Sequence, residues 1–197
     1  MTTIFLVRHG STDWTGKRII GNLPGVHLNE IGRVQAQKAG AFLQRYSIQA
    51  VFSSPMERAI ETAEPLASVL GLPVTAEEYL REINFGGLQG CGYELNESPL
   101  WHRFQTHPAD ITFPGGESVH QAQKRVVTGL NEISGHFGPE QQVVCFSHCE
   151  ILRLAVAHAL CIPLDGFMRL TIKPASISCL EWEKDTQRLT LLNFIPE

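Results

Sequence analysis

Three short apolar runs, Ile4–Val7, Ala50–Phe52 and Val143–Phe146, constrain this chain more than any other feature, because longer segments of helical character separate them. Apolar runs this short and this continuous suit strands covered on both faces. In the first intervening segment Asn29 can cap a helix that carries Ile31, Val34 and Ala41 on one side. In the second, Pro55 suits a first helical position, and Ala59, Ala63, Leu66 and Leu70 recur at one- and two-turn spacings. Pro65 is expected to kink or shorten that helix. A third helix, roughly Glu150 to Leu160, is apolar on most faces and should be well buried. Near the end, SISCLEWE and RLTLLNFI flank KDTQ, the pattern of a late hairpin or of edge strands. Alternating strands and helices predict a three-layer α/β/α sandwich with a mostly parallel central sheet.

The three apolar runs end alike. The first leads into Arg8 and His9, the second into SSPMER with Arg58, and the third into Ser147 and His148. Open α/β sheets bind ligands beyond the carboxyl ends of their strands, so two arginines and two histidines are expected at one edge. Two of these runs also lead into helices, whose free N–H groups favour an anion. Arginine offers a planar fork that matches phosphate oxygens. Histidine is a nucleophile when neutral and a donor when charged. The combination suggests phosphoryl transfer, which still needs a proton donor for the departing alkoxide. Glu82, in LREINFGGLQG, follows an apolar segment and precedes a glycine-rich turn, so its carboxyl could face the cleft. Burial or a neighbouring phosphate would favour its protonated form. Taken singly, Arg8, Arg58, Glu82 and the histidines are ordinary ion-pair, surface or capping residues; their convergence carries the reading.

The chain has 197 residues, enough for a substantial core, and a single domain over 1–197 with a loop-rich insert at about 91–113 is the expected organisation. A formal charge of −4 without a Lys/Arg run argues against nucleic-acid or anionic-membrane partners. The first residues lack a basic leader and a long apolar segment, so a cytoplasmic location is expected. Five cysteines, with no C-x-x-C, favour neither a disulfide framework nor a zinc site. The remaining histidines show no metal-ligand pattern such as H-E-x-x-H, and no metal or cofactor is expected.

LVRHGST, GVHLNEIGRVQA, VFSSPMERAIETAEPLA, LREINFGGLQG, FPGGES and VVCFSHCEILR occur in this order from Leu6 to Arg153. This ordered set resembles the histidine phosphatase superfamily, the phosphoglycerate mutase-like proteins, and more closely its phosphatase branch. The resemblance implies a phosphoglycerate mutase-like fold with His9 phosphorylated in a covalent intermediate. It further implies that Arg8, Arg58 and a protonated His148 hold the phosphoryl group and that Glu82 serves as general acid and base. Thr12, Thr15, Gly21, Asn22 and Cys149 become candidates for substrate contact. Gly10 is expected to let the chain turn tightly beside the nucleophile. Two positions depart from the family pattern: Thr15 stands where asparagine is common, and Cys149 where glycine is frequent. Both point to reduced or retuned activity rather than loss.

The implied activity is that of a metal-independent phosphoric monoester hydrolase acting on a small phosphomonoester. The insert carries Tyr93, Trp101, His102, Arg103, Phe104 and Phe113, and could cover the cleft or complete a small core. Mutases commonly hold a longer, arginine-rich insert there, whereas this one has a single arginine. Hydrolysis is therefore preferred over a cofactor-dependent phosphoglycerate mutase, and over a non-catalytic phosphate-binding or regulatory protein. An apolar late edge strand could pair with a second copy, so a homodimer stays open. In FPGGES the glycines make a turn, and Glu117 with Ser118 starts a helix.

Overall fold

The computed structural model describes residues 1–92 and 96–197; Tyr93 of the insert lies outside them. The strands are β1 (Thr2–Arg8), β2 (Ile48–Ser53), β3 (Val74–Ala76), β4 (Gln142–Ser147), β5 (Ile177–Glu183) and β6 (Thr186–Phe194). They form one sheet in the order β3-β2-β4-β1-β5-β6. The β3, β2, β4 and β1 strands run parallel, while β5 and β6 close one side as an antiparallel hairpin. The helices are α1 (Glu30–Leu43), α2 (Glu57–Leu70), α3 (Pro99–Thr106), α4 (Val119–His136) and α5 (Cys149–Ala159).

Period-two alternation of side chains splits the central strands between two cores. Ile4 and Leu6 of β1, with Val143 and Cys145 of β4, pack among Ala122, Val126 and Leu130 of α4 and Leu152 and Ala155 of α5. Phe5, Val7, Val144 and Phe146 point the other way, against Ala39 and Leu43 of α1 and Ala63 and Leu66 of α2. Both faces of β1 and β4 are thus covered, which explains why the two strands read as unbroken apolar runs. The three-layer α/β/α arrangement with a mostly parallel sheet follows.

Local details differ from the sequence expectation in four places. Asn29 caps α1 by accepting from the Gly32 amide, but Ile31 and Val34 are 63% and 52% exposed, and Ala41 is exposed too. The buried face is Gly32, Ala36, Ala39, Gly40 and Leu43 instead. Close approach explains the choice: a Cβ on Gly32 would lie 2.1 Å from the Ser11 carbonyl oxygen, and one on Gly40 3.1 Å from the Leu66 nitrogen. Only small residues admit backbone contact at that range, so they outrank the larger apolar side chains. Gly32→Ala is accordingly expected to lose about 1–3 kcal/mol of stability through overpacking, despite the better helix propensity of alanine. Urea unfolding measures it, and an unchanged midpoint would refute the close-contact account.

In α2, Pro55 precedes the cap residue Met56 and is outside the helix, while the helix runs through Pro65 to Leu70. Burial of Ala63, Leu66 and Ala67 around the proline holds the helix together there. The third difference is that the insert is less loop-like than expected. Ser98 caps α3, accepting from the Trp101 amide, and Phe104 and Phe113 are fully buried with ring centroids 5.2 Å apart. Phe85 joins them at 5.8 and 5.0 Å, so these aromatics complete the core, whereas His102 and Arg103 are exposed. Fourth, α4 is an 18-residue helix of which only the Glu117–Ser118 start was legible; Ser118 and Gln121 form a capping box there.

Candidate active site

Sheet register assembles the site. Arg8 at the end of β1 lies beside Ser147 at the end of β4, and Ser53 of β2 lies beside Phe146. The chain continues this alignment past the strands: the His9 amide donates to Ser147 O at 2.9 Å, and the Ser54 amide to Phe146 O at 2.8 Å. His9 and His148, 139 positions apart in the chain, therefore stand with ring centroids 5.2 Å apart. Arg58, near the start of α2, is fully buried beside them.

His9 Nδ1 is 2.7 Å from the Gly10 carbonyl oxygen. A carbonyl only accepts, so Nδ1 carries the proton and Nε2 keeps its lone pair. Burial, with Arg58 and then Arg8 nearby, holds the imidazole pKa well below its usual value and keeps the ring neutral. Gly10 is fixed by its amide, which donates to Thr62 Oγ1 at 3.0 Å, while the Thr62 hydroxyl donates to Arg58 O at 2.6 Å. The glycine serves close approach rather than the expected tight turn: its φ is not positive, and a Cβ would lie 2.6 Å from the Gly32 oxygen.

Arg58 Nη2 donates to Gly21 O at 2.7 Å and to His148 Nδ1 at 3.2 Å. His148 Nδ1 is therefore an acceptor, and Nε2–H donates to Ser54 Oγ at 2.7 Å. Burial and then Arg58 push the His148 pKa well down. That keeps the ring neutral; the proton expected on His148 belongs to the phosphoryl-bound site, where an anion beside the ring reverses the balance. Burial lowers Arg58 itself to about 10, still charged near neutrality. Among the described residues, Arg8 Nε and Arg58 Nε and Nη1 are buried without a hydrogen-bond partner, while Arg8 Nη1 donates to Ile172 O at 2.6 Å. Buried guanidinium N–H groups left open in this way are costly unless an anion meets them.

Glu82 approaches from the segment between β3 and α3. Its Oε1 accepts from the Ile83 amide at 3.0 Å and its Oε2 from the Glu150 amide at 3.3 Å. Burial, and then the Glu150 charge, push its pKa up to about 7. Arg125 of α4 holds this segment in place. Its Nη1 donates to Tyr79 O and Arg81 O at 2.9 and 3.0 Å, and its Nη2 to Glu117 Oε1 at 2.7 Å. Nothing in the local sequence marks Arg125, which acts through carbonyls some forty residues away.

One cavity of about 400 Å³ is lined by Arg8, His9, Thr15, Gly21, Arg58, Glu82, His148 and Cys149. Thr12 and Asn22, expected to touch substrate, do not line it. Thr12 is buried and organises the loop instead, its amide donating to Thr15 Oγ1 at 2.9 Å and its hydroxyl accepting from the Trp14 amide at 3.2 Å. The Asn22 amide donates to Gln89 Oε1 at 2.7 Å. Burial pushes the Cys149 thiol up to about 12, and the neutral thiol packs 3.6 Å from Ile172 O. Trp101 of the insert lines the cavity, and so do Lys17, Arg18, Ile20, Phe85 and Glu150, which the sequence had not singled out for contact there. Among the described residues, no three His, Cys, Asp or Glu side chains gather as a metal-binding group, and no helix is long and apolar enough to cross a membrane.

A sequence profile of the histidine phosphatase superfamily (branch 1) matches residues 4–195. A bifunctional protein of Mycobacterium tuberculosis is 34% identical over 188 residues, covering 93% of this chain. The chain spans about half, 51%, of the length of that relative. Among solved structures, Bacillus stearothermophilus YhfR is 25% identical with a TM-score of 0.91, over 99% of this chain and 98% of its own. A mycobacterial glucosyl-3-phosphoglycerate phosphatase is 27% identical with a TM-score of 0.87, over 98% of both chains.

Proposed function

The chain belongs to the histidine phosphatase superfamily, and from that membership we propose that it hydrolyses a small phosphomonoester through a phosphohistidine on His9, without a metal. The observation that carries this reading is the neutral His9 ring, its Nε2 carrying the lone pair, set beside buried guanidinium N–H groups that lack partners among the described residues. A phosphoryl group supplies what those N–H groups lack, and it presents its phosphorus to the imidazole.

In the first step Nε2 attacks phosphorus in line, forming the N–P bond as the P–O ester bond breaks. Glu82, protonated near neutrality, transfers its proton to the departing oxygen. Arg8 and Arg58 balance the equatorial oxygens. The dianion favours a proton on His148 Nδ1, which would end the hydrogen bond it accepts from Arg58 Nη2 and release that N–H toward the phosphoryl oxygens. In the second step water attacks the phosphohistidine, Glu82 takes its proton, and the N–P bond breaks to release inorganic phosphate. A cavity of about 400 Å³ sits at the small end of ligand sites and suits a metabolite rather than a folded phosphoprotein. The mycobacterial neighbour solved as a glucosyl-3-phosphoglycerate phosphatase agrees with this class.

Phosphate release from p-nitrophenyl phosphate and a panel of metabolite phosphomonoesters, in EDTA, tests the proposal. Turnover that survives chelation is expected. Activity that appears only on adding a divalent metal, or no release between about pH 5 and pH 8, would overturn it.

A further inference from the structure

We infer that the leaving group of the substrate carries a second negative charge, seated by Lys17 and Arg18 at the cavity mouth. This rests on the hydrolase reading and narrows its substrate class. The chain as a whole has four more acidic than basic residues, yet Arg8, Lys17, Arg18 and Arg58 all line one cavity. The acids of the same wall do not answer them. Glu150 has both carboxylate oxygens 3.0 Å from Arg153 Nη1, and Glu82 is engaged by two backbone amides. A transferring phosphoryl group meets Arg8 and Arg58 and leaves Lys17 and Arg18 over. Neither forms an ion pair among the described residues.

Arg18 is also held in place before any ligand arrives. Its guanidinium carbon sits 5.3 Å from the centroid of the Trp14 ring, and Nη1 donates to Gly90 O at 3.3 Å. A cation fixed in this way loses less side-chain freedom on binding than a free surface arginine. Ile20, Phe85 and Trp101 line the same cavity and offer apolar contact to a short carbon skeleton joining the two anions. The two cations come from the loop after β1 rather than from the insert. Carboxylate and phosphate fit the two cations equally, so the shared requirement is a second anion.

Matched substrates test the inference: 3-phosphoglycerate against glycerol 1-phosphate for a carboxylate, and fructose 1,6-bisphosphate against fructose 6-phosphate for a phosphate. At low salt, kcat/KM for at least one charged member should exceed that of its partner by about tenfold. The advantage should shrink with added salt and in Lys17→Gln with Arg18→Gln, through KM rather than kcat, and Lys17→Arg should keep it. Equal kcat/KM within both pairs, or a preference indifferent to Lys17→Gln with Arg18→Gln, would overturn the second-anion seat. In either of those cases p-nitrophenyl phosphate is still hydrolysed. Its failure to react would instead remove the hydrolase reading on which the inference stands.

Discussion

His9→Ala should abolish phosphate release, with a loss of at least about 10⁴-fold in kcat, because a nucleophile has no substitute in the pocket. The rest of the anion site survives the change: Arg58 keeps its bonds to Gly21 O and His148, and His148 keeps Ser54. Substrate should therefore still bind, and inorganic phosphate should still inhibit or protect. That separation of binding from turnover distinguishes a missing nucleophile from a collapsed site. Rapid quenching of the native protein with phosphorus-labelled substrate should trap an acid-labile, base-stable label, absent from the variant. A variant retaining a tenth of native turnover would mean that water attacks phosphorus directly and that His9 only helps to bind it.

The route to this site was legible in the sequence where one local feature sufficed. Ile4–Val7 and Val143–Phe146 announce buried parallel strands because both their faces are covered, and the polar residues that end them mark the sheet edge. Arg8, His9, Arg58, Glu82 and His148 accordingly line one cavity. Features set by distant packing were not legible. The α1 helix buries Gly32 and Gly40 rather than Ile31 and Val34, and that choice depends on how near Ser11 and Leu66 come. Thr12 looked like a ligand contact, yet its amide and hydroxyl are spent inside the loop that carries Thr15. Neither hydropathy nor a motif reveals the Glu150 charge that raises Glu82, since the pair meet only when α5 starts beside the Glu82 segment.

The second large effect concerns Glu82 and separates the two steps. With its pKa near 7 in the free protein, the carboxyl is the proton-bearing form below that value. For alkyl phosphates, which need a proton on the leaving oxygen, kcat/KM should fall about tenfold per pH unit above it. The acidic limb should not come from His9, whose pKa burial and Arg58 keep well below 6.5; it should instead follow the second ionisation of the substrate phosphate, near about 6. Glu82→Gln keeps the size of the side chain and removes the proton. Alkyl phosphates should lose about 10²–10⁴-fold in kcat/KM, and the alkaline limb should vanish. p-Nitrophenyl phosphate, whose anion leaves without a proton, should still phosphorylate His9. Water would then lack its base, so the variant should release a rapid burst of nitrophenolate, close to one equivalent, followed by slow turnover. A native alkaline limb preserved in Glu82→Gln, or no burst with the activated ester, would assign the proton to another group. Glu150 would be the carboxyl to test next, because it shares the cavity wall, although it would first have to leave its ion pair with Arg153.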